Sequence, residues 1–457
     1  MRAIYALLII VVLAVAGGLC YLLLCDRPPS LPTGQVPAPP VDVGNLPTVD
    51  LADGPPPARD AIVFDMAYRG LTGDKDDLRY NAYWGFGGSS DADTPFPKAV
   101  RQTAGEKVKT VYNPNFKGAE WAAVEMKGDL PTALYFDLNA DGELADYERI
   151  LPRGKPDQYG QVDFVTPDFL MTTQKGVQTP FRALLQARTG GSATWSPSCV
   201  LQGAASVDGR DLKLLLYCNG FTGSFVEFGG CSYSLKQADA PLEPYTPRQP
   251  LSSLITFEDQ FYKLRFLKHP DEAGRIQSVI EKDTTPTGRL AIKLIGRQEV
   301  KARLSSARIS GAEDNTIQFN VSGARGVTLP QGAYKLNSGY VYYGVDEARV
   351  EEAQESHYVN FTKGPQATIV AGETLTVELG QPRMIVSAID QQQRYNSNAQ
   401  ESTVFTKGTN VFLSPKVGGL AGEQYGRFRD ERNDLVPTVE ILATDGKRIA
   451  SSKMEYG

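Results

Sequence analysis

From Asp137 to Glu148 the chain reads D-L-N-A-D-G-E-L-A-D-Y-E, with side-chain oxygens at Asp137, Asn139, Asp141, Glu143 and Glu148. Gly142 sits among them, where a sharp turn favours a residue without a Cβ. Carboxylate and amide oxygens crowded around a glycine turn suit a hard cation that takes six to eight oxygen ligands. The chemistry implied is metal binding, with Ca2+ as the bound ion. Asp, Asn and Gly also gather in plain β-turns, because they tolerate left-handed geometry and bond their own backbone. A turn accounts for residues 139–142. It does not account for Asp137 and Glu148 standing at these distances on either side.

The stretch 137–148 resembles the calcium loop of the EF-hand. By that resemblance, Asp137, Asn139 and Asp141 take the first, third and fifth loop positions, and Gly142 takes the sharp turn at the sixth. Glu143 offers its backbone carbonyl, Ala145 acts only through a water, and Glu148 binds through both carboxylate oxygens. Leu144 is the apolar pin that holds the loop to the core. The likeness covers the loop and not the EF-hand fold. Residues 130–136 carry a proline and read as a strand, where an EF-hand has a helix. Residues 144–150 are expected to make about two helical turns before Pro152. Dockerin modules use a related loop as a tandem pair. Here Asn219, Gly220 and Gly223 are only loosely comparable and lack the acidic ligands. A lone extracellular loop implies weak affinity, ~0.1–1 mM, and an ion that serves as a structural staple and not as a signal.

The amino-terminal end places this loop outside the cytoplasm. Residues 3–25 are uncharged and mostly apolar, and about 20 such residues span a bilayer core as a helix. The run exceeds the roughly 7–15 residues of a cleavable signal core. Arg2 precedes it, so the positive-inside tendency puts the terminus in the cytoplasm and the bulk of the chain outside. A cleaved signal ending near Ala14-Val15-Ala16, or a lipidated Cys20 or Cys25, are the alternatives. All three place residues 26 onward in the periplasm or at the cell surface. Residues 26–60 form a proline-rich linker that favours extended polyproline II over a packed core. At about 3.1 Å per residue it reaches on the order of 100 Å from the membrane.

Residues 61–457 have ordinary globular composition, too long for one core, with two or three domains expected. The net charge is −6 without long runs of either sign, so nucleic acid is not an expected partner. Period-two or β-branched runs appear at 133–136, 212–217, 261–266, 290–295, 316–321, 340–343, 374–379, 384–388, 410–413 and 438–442. Turn signals separate them, among them Pro330-Gln331-Gly332, Ala371-Gly372-Glu373 and Asp445-Gly446. Residues 181–187 read as a short helix, and 270–281 as ambiguous. The expected fold is mainly β: a transmembrane helix and linker, then antiparallel β-rich domains and a C-terminal Ig-like β-sandwich. The divisions expected are 1–25, 26–60, 61–285 with the calcium loop, 286–380 and 381–457, with the last two packed as one domain the alternative.

Three cysteines lie beyond the apolar run, Cys199, Cys218 and Cys231. An oxidising compartment implies one disulfide and one thiol left over, with Cys199–Cys231 the preferred bridge. No nucleophile elbow, phosphate loop or dinucleotide fingerprint occurs, and His269 and His357 are the only histidines. A glycosidase-type carboxylate pair drawn from Glu120, Glu125, Asp163 and Asp168 is the catalytic alternative, with Trp84, Trp121 and Trp195 as a sugar platform. Two functional readings follow. One is a membrane-tethered calcium-binding module of the cell envelope that engages a protein or surface polymer. The other is an envelope hydrolase or carbohydrate-binding protein acting on glycan. The layout resembles uncharacterised membrane-anchored bacterial envelope proteins.

Overall fold

A computed structural model describes residue 51 and residues 54–453, apart from 72–106, 113–120, 139–147, 173–177, 190–192, 208, 220, 241–247, 259, 271–274, 296–301, 322–326, 344–356, 381–382, 391–410, 431–432, 435–437 and 444. The described residues are mainly β, in largely antiparallel sheets and without an α-helix. Among them no helix is long and apolar enough to cross a membrane. The expected anchor at 3–25 lies outside the described residues.

The first sheet has eight strands, and Ile62–Gly70 lies inside it. On one side this strand pairs with Cys199–Val207, followed by Arg210–Cys218, Cys231–Gln237 and Gln249–Pro250. On the other it pairs with Ile276–Lys282, followed by Gln260–Lys268 and Leu254–Phe257. Alternation puts Phe64 and Met66 into the core while Asp65 and Ala67 face out. Gly203 permits this packing, because a Cβ there would stand 2.6 Å from the Met66 sulfur and 2.8 Å from the Phe64 Cβ. Arg265 donates to the carbonyls of Pro55 and Pro56 at 2.6 and 3.2 Å, which lays the last residues of the expected linker along the sheet.

Smaller sheets share this core. Lys107–Tyr112, Trp121–Lys127, Leu130–Phe136 and Arg149–Ile150 form one of four strands. Ala193–Pro197, Ala183–Ala187 and Val162–Val165 form one of three, and Phe169–Thr172 pairs with Gln178–Phe181. The helix expected at 181–187 is therefore a strand. All five residues of Ala183–Ala187 are buried, so the segment shows neither period, and a short run buried on both faces is a strand. The ambiguous stretch 270–281 resolves into the strand Ile276–Lys282.

A second core gathers Leu290, Ile309, Phe319, Leu336, Phe361, Leu379 and Tyr425. Around it, Thr287–Ile295 pairs with Val327–Pro330 and, in parallel, with Thr374–Gly380. A nine-stranded sheet includes Ala302–Gly311, Gly332–Tyr343, His357–Lys363, Gln424–Asp430, Val411–Gly418 and Arg383–Asp390. Fully buried Glu423 accepts the N–H groups of Gly380 at 2.7 Å and Ala421 at 2.9 Å, and the Tyr425 hydroxyl at 2.5 Å. The first sheet contributes Phe261 to this second core, where its ring stands edge-on to Phe319 at 5.9 Å. Ser252 Oγ there accepts the Gln318 N–H at 2.9 Å. The expected hairpin at the C-terminal end is present as Thr438–Leu442 paired with Arg448–Lys453.

Cys199, Cys218 and Cys231 are buried thiols on three successive strands of the first sheet. The preferred Cys199–Cys231 bridge does not fit this order. Arg210–Cys218 runs between the two strands, which separates their backbones by about 10 Å, while a disulfide spans at most about 7 Å between Cα atoms.

Burial raises the tyrosine pKa at several core positions. It does so at Tyr68, Tyr233 and Tyr425, and brings Tyr334 from 10.0 to about 12, with the Asp283 charge adding to the rise. A raised folded-state pKa means the unfolded chain loses its proton first. The stabilisation is complete below the ordinary tyrosine value and is lost as pH rises toward about 12. Alkaline unfolding followed by circular dichroism and tyrosinate absorbance is expected to coincide above pH ~10, with no earlier ionisation of the buried set.

Candidate metal site

The loop is positioned by the strand that enters it. In Leu130–Phe136 the side chains of Ala133, Leu134 and Phe136 are fully buried. The Phe136 ring lies edge-on to Phe169 at 4.9 Å and tilted against Trp195 at 5.5 Å. The last residue before Asp137 is thus fixed in the core. The chain returns as Arg149–Ile150, antiparallel to its own entry strand, with Leu134 opposite Ile150 and Tyr135 opposite Arg149. Residues 137–148 are therefore a closed excursion whose two ends lie side by side.

Both end residues carry carboxylates, and both are buried: Asp137 is 5% exposed and Glu148 0%. Glu148 Oε1 accepts the N–H of Leu138 at 2.8 Å, which ties the last residue of the excursion to the start of it. Burying a carboxylate is costly unless hydrogen bonds and opposite charge meet it. Asp137 and Glu148 thus bring two buried carboxylates to the base of one excursion. The remaining expected ligands, Asn139, Asp141 and Glu143, lie outside the described residues. Among the described residues no group of three or more His, Cys, Asp or Glu is arranged to hold a metal. The donor chemistry of the ends, all hard oxygen, fits calcium.

The exit from the loop departs from expectation. The two helical turns expected over 144–150 are not formed at its described end, because Arg149–Ile150 is a strand. Pairing with Leu130–Phe136 satisfies backbone groups that a helix there would have had to satisfy alone.

The alternative carboxylates are held elsewhere. Glu125 receives Thr132 Oγ1 at 3.0 Å, the Tyr135 hydroxyl at 3.4 Å and Arg149 Nη2 at 3.3 Å, on the outer face of the loop's sheet. Asp168 is gripped by Arg182 Nε and Nη2, each at 2.8 Å, and receives the Tyr68 hydroxyl at 2.6 Å. Asp163 accepts from the side-chain amides of Gln186 at 3.2 Å and Gln161 at 3.4 Å. These contacts tie strands and their connections together, and the Tyr68–Asp168–Arg182 cluster gave no local signal because Tyr68 stands 100 residues before Asp168. Glu120 and Trp84 lie outside the described residues, and Trp195 is buried in the core. His269 Nε2 stands 3.5 Å from Asp65. Comparison with protein-family models, curated proteins and solved structures finds no match to this chain.

Glu148→Ala removes the acceptor of the Leu138 N–H. In calcium-free buffer it is expected to cost about 1–3 kcal/mol, the price of a buried donor left unmet. Glu148→Gln, which keeps an acceptor oxygen, should cost less. Urea unfolding midpoints of the two variants against the parent measure the difference.

Proposed function

We propose that the chain is a membrane-tethered, extracytoplasmic calcium-binding protein of the cell envelope, a structural or binding module whose β-rich body is stapled by one Ca2+. The observation that carries this reading is the convergence of Asp137 and Glu148, buried at the two ends of an excursion rich in oxygen ligands. Asp137, Asn139, Asp141, the Glu143 carbonyl and Glu148 would hold the ion. Calcium supplies positive charge at a point where the fold has drawn carboxylates out of water. The strands on either side do the positioning: the core fixes Phe136, and the pairing of Leu134 with Ile150 fixes the exit.

The same proposal takes residues 3–25 as the anchor in the cytoplasmic membrane and the proline-rich stretch after it as a spacer. Ig-like sandwich units toward the C-terminal end are part of it. The body so displayed would engage a protein or a surface polymer, and nucleic acid is not among the partners. Supporting this reading, mild net acidity suits a calcium binder outside the cell.

An ion that binds only the folded state stabilises it by mass action, so calcium at about ten times its dissociation constant adds about 1.4 kcal/mol. Melting of the full chain is expected to rise by roughly 2–3 °C in several millimolar calcium. Magnesium at the same concentration should do less, because it demands tighter octahedral geometry. An Asn139→Ala, Asp141→Ala double variant should lose the calcium response. A parent melting temperature indifferent to calcium would remove the reading.

A further inference from the structure

Cys218 and Cys231 stand directly opposite each other on the neighbouring antiparallel strands Arg210–Cys218 and Cys231–Gln237, as the final pair of that ladder. Opposed residues in such a ladder have Cα atoms about 4.5–5.5 Å apart, inside the range a disulfide spans. Both side chains point into the first core, with Cys218 3% and Cys231 0% exposed. Cys199 is next in the row, one step beyond the Val200–Tyr217 pair that ends its own ladder; its sulfur meets the backbone of Arg182, whereas the Cys231 sulfur meets the Ser224 carbonyl at 3.1 Å, inside the loop that joins Cys218 to Cys231. The Cys199 sulfur receives the Arg182 N–H at 3.4 Å and donates to the Arg182 carbonyl at 3.5 Å.

We propose that Cys218 and Cys231 form a cross-strand disulfide, made by thiol–disulfide exchange with a small-molecule or protein disulfide, and that Cys199 remains a thiol. In the first step the thiolate of one cysteine attacks a sulfur of the donor disulfide and expels one donor thiolate. In the second, the thiolate of the other cysteine attacks the protein sulfur of the mixed disulfide and expels the second. Two protein thiols and one donor disulfide thus become one protein disulfide and two donor thiols. The two protons lost by the protein are taken up by the donor thiolates, and two electrons pass to the donor. Exchange belongs to the stage before the strands close, since only an exposed thiolate reacts. Contact with Cys218, and then burial, hold the Cys231 thiol well above its ordinary pKa once the fold has formed.

The bridge would fasten the loop between the two strands. That loop carries Phe221, Phe225 and Val226 into the first core, with Phe221 and Phe225 stacked about Phe181 at 5.8 and 6.3 Å. It also touches the second β unit through the strand Ala302–Gly311. The Gly229 N–H donates to the Leu251 carbonyl at 2.9 Å, and the Gly229 carbonyl accepts from Arg308 at 3.4 Å. A covalent closure here would fix the segment against which the second β unit docks. The proposal stands independently of calcium binding.

The test is peptide mapping of the full chain. The protein is reduced, refolded in a glutathione redox buffer, isolated as the folded fraction and alkylated in denaturant. No lysine or arginine lies between Lys213 and Lys236, so trypsin leaves Cys218 and Cys231 in one peptide, 214–236, and Cys199 in another, 189–210. The expected result is peptide 214–236 unalkylated and lighter than its dithiol form by two hydrogens, with Cys199 alkylated. Cys199→Ser should leave that peptide unchanged. Alkylation of both Cys218 and Cys231, or a bond from either to any other cysteine, would overturn the proposal.

Discussion

Strand Ile62–Gly70 is the seam of the first sheet. It is bonded on one side to Cys199–Val207 and on the other to Ile276–Lys282, and both partners come far later in the chain. Without it the eight-stranded sheet is two separate pieces, one of four strands and one of three. Everything between Gly70 and Cys199, including the candidate metal loop, is an excursion that leaves this strand and returns to it. Such non-local pairing incurs loop-closure entropy before it gains contacts, so it forms slowly and relies on the hydrophobic face for its reward. Phe64 and Met66 supply that face, and Gly203 across the ladder leaves room for both.

The two ends of the loop are placed by this core. Phe136 is locked among aromatic rings, so Asp137 begins from a fixed point, and the return strand brings Glu148 back beside it. A divalent ion would then fasten a segment already closed at its base, which asks little conformational entropy of the protein on binding. Weak extracellular affinity would suffice for a site with that degree of preorganisation.

Much of the strand pattern was readable because alternation survives in the sequence. The segment at 374–379 appears as Thr374–Gly380 and that at 438–442 as Thr438–Leu442, each with a turn where Gly372 and Gly446 take positive φ. Ala183–Ala187 is a strand where a helix is expected, since burial on both faces erases the period that separates the two. The spacing of Asp137 and Glu148 marked the ends of the loop, but the exit was read from the EF-hand likeness as helical. Tertiary pairing with Leu130–Phe136 decided otherwise. The Tyr68–Asp168–Arg182 lock and the opposition of Cys218 to Cys231 depend on which strands become neighbours, and a sequence without its sheet order does not contain that information.

The central claim is that calcium acts at the excursion between the paired strands. Hydrogen exchange of the full chain, read by mass spectrometry with and without millimolar calcium, tests it most directly. The account predicts slowed exchange concentrated in peptides that span residues 134–150, with the eight-stranded sheet little changed. Unaltered exchange over those residues in calcium, or protection that appears only elsewhere, would contradict it.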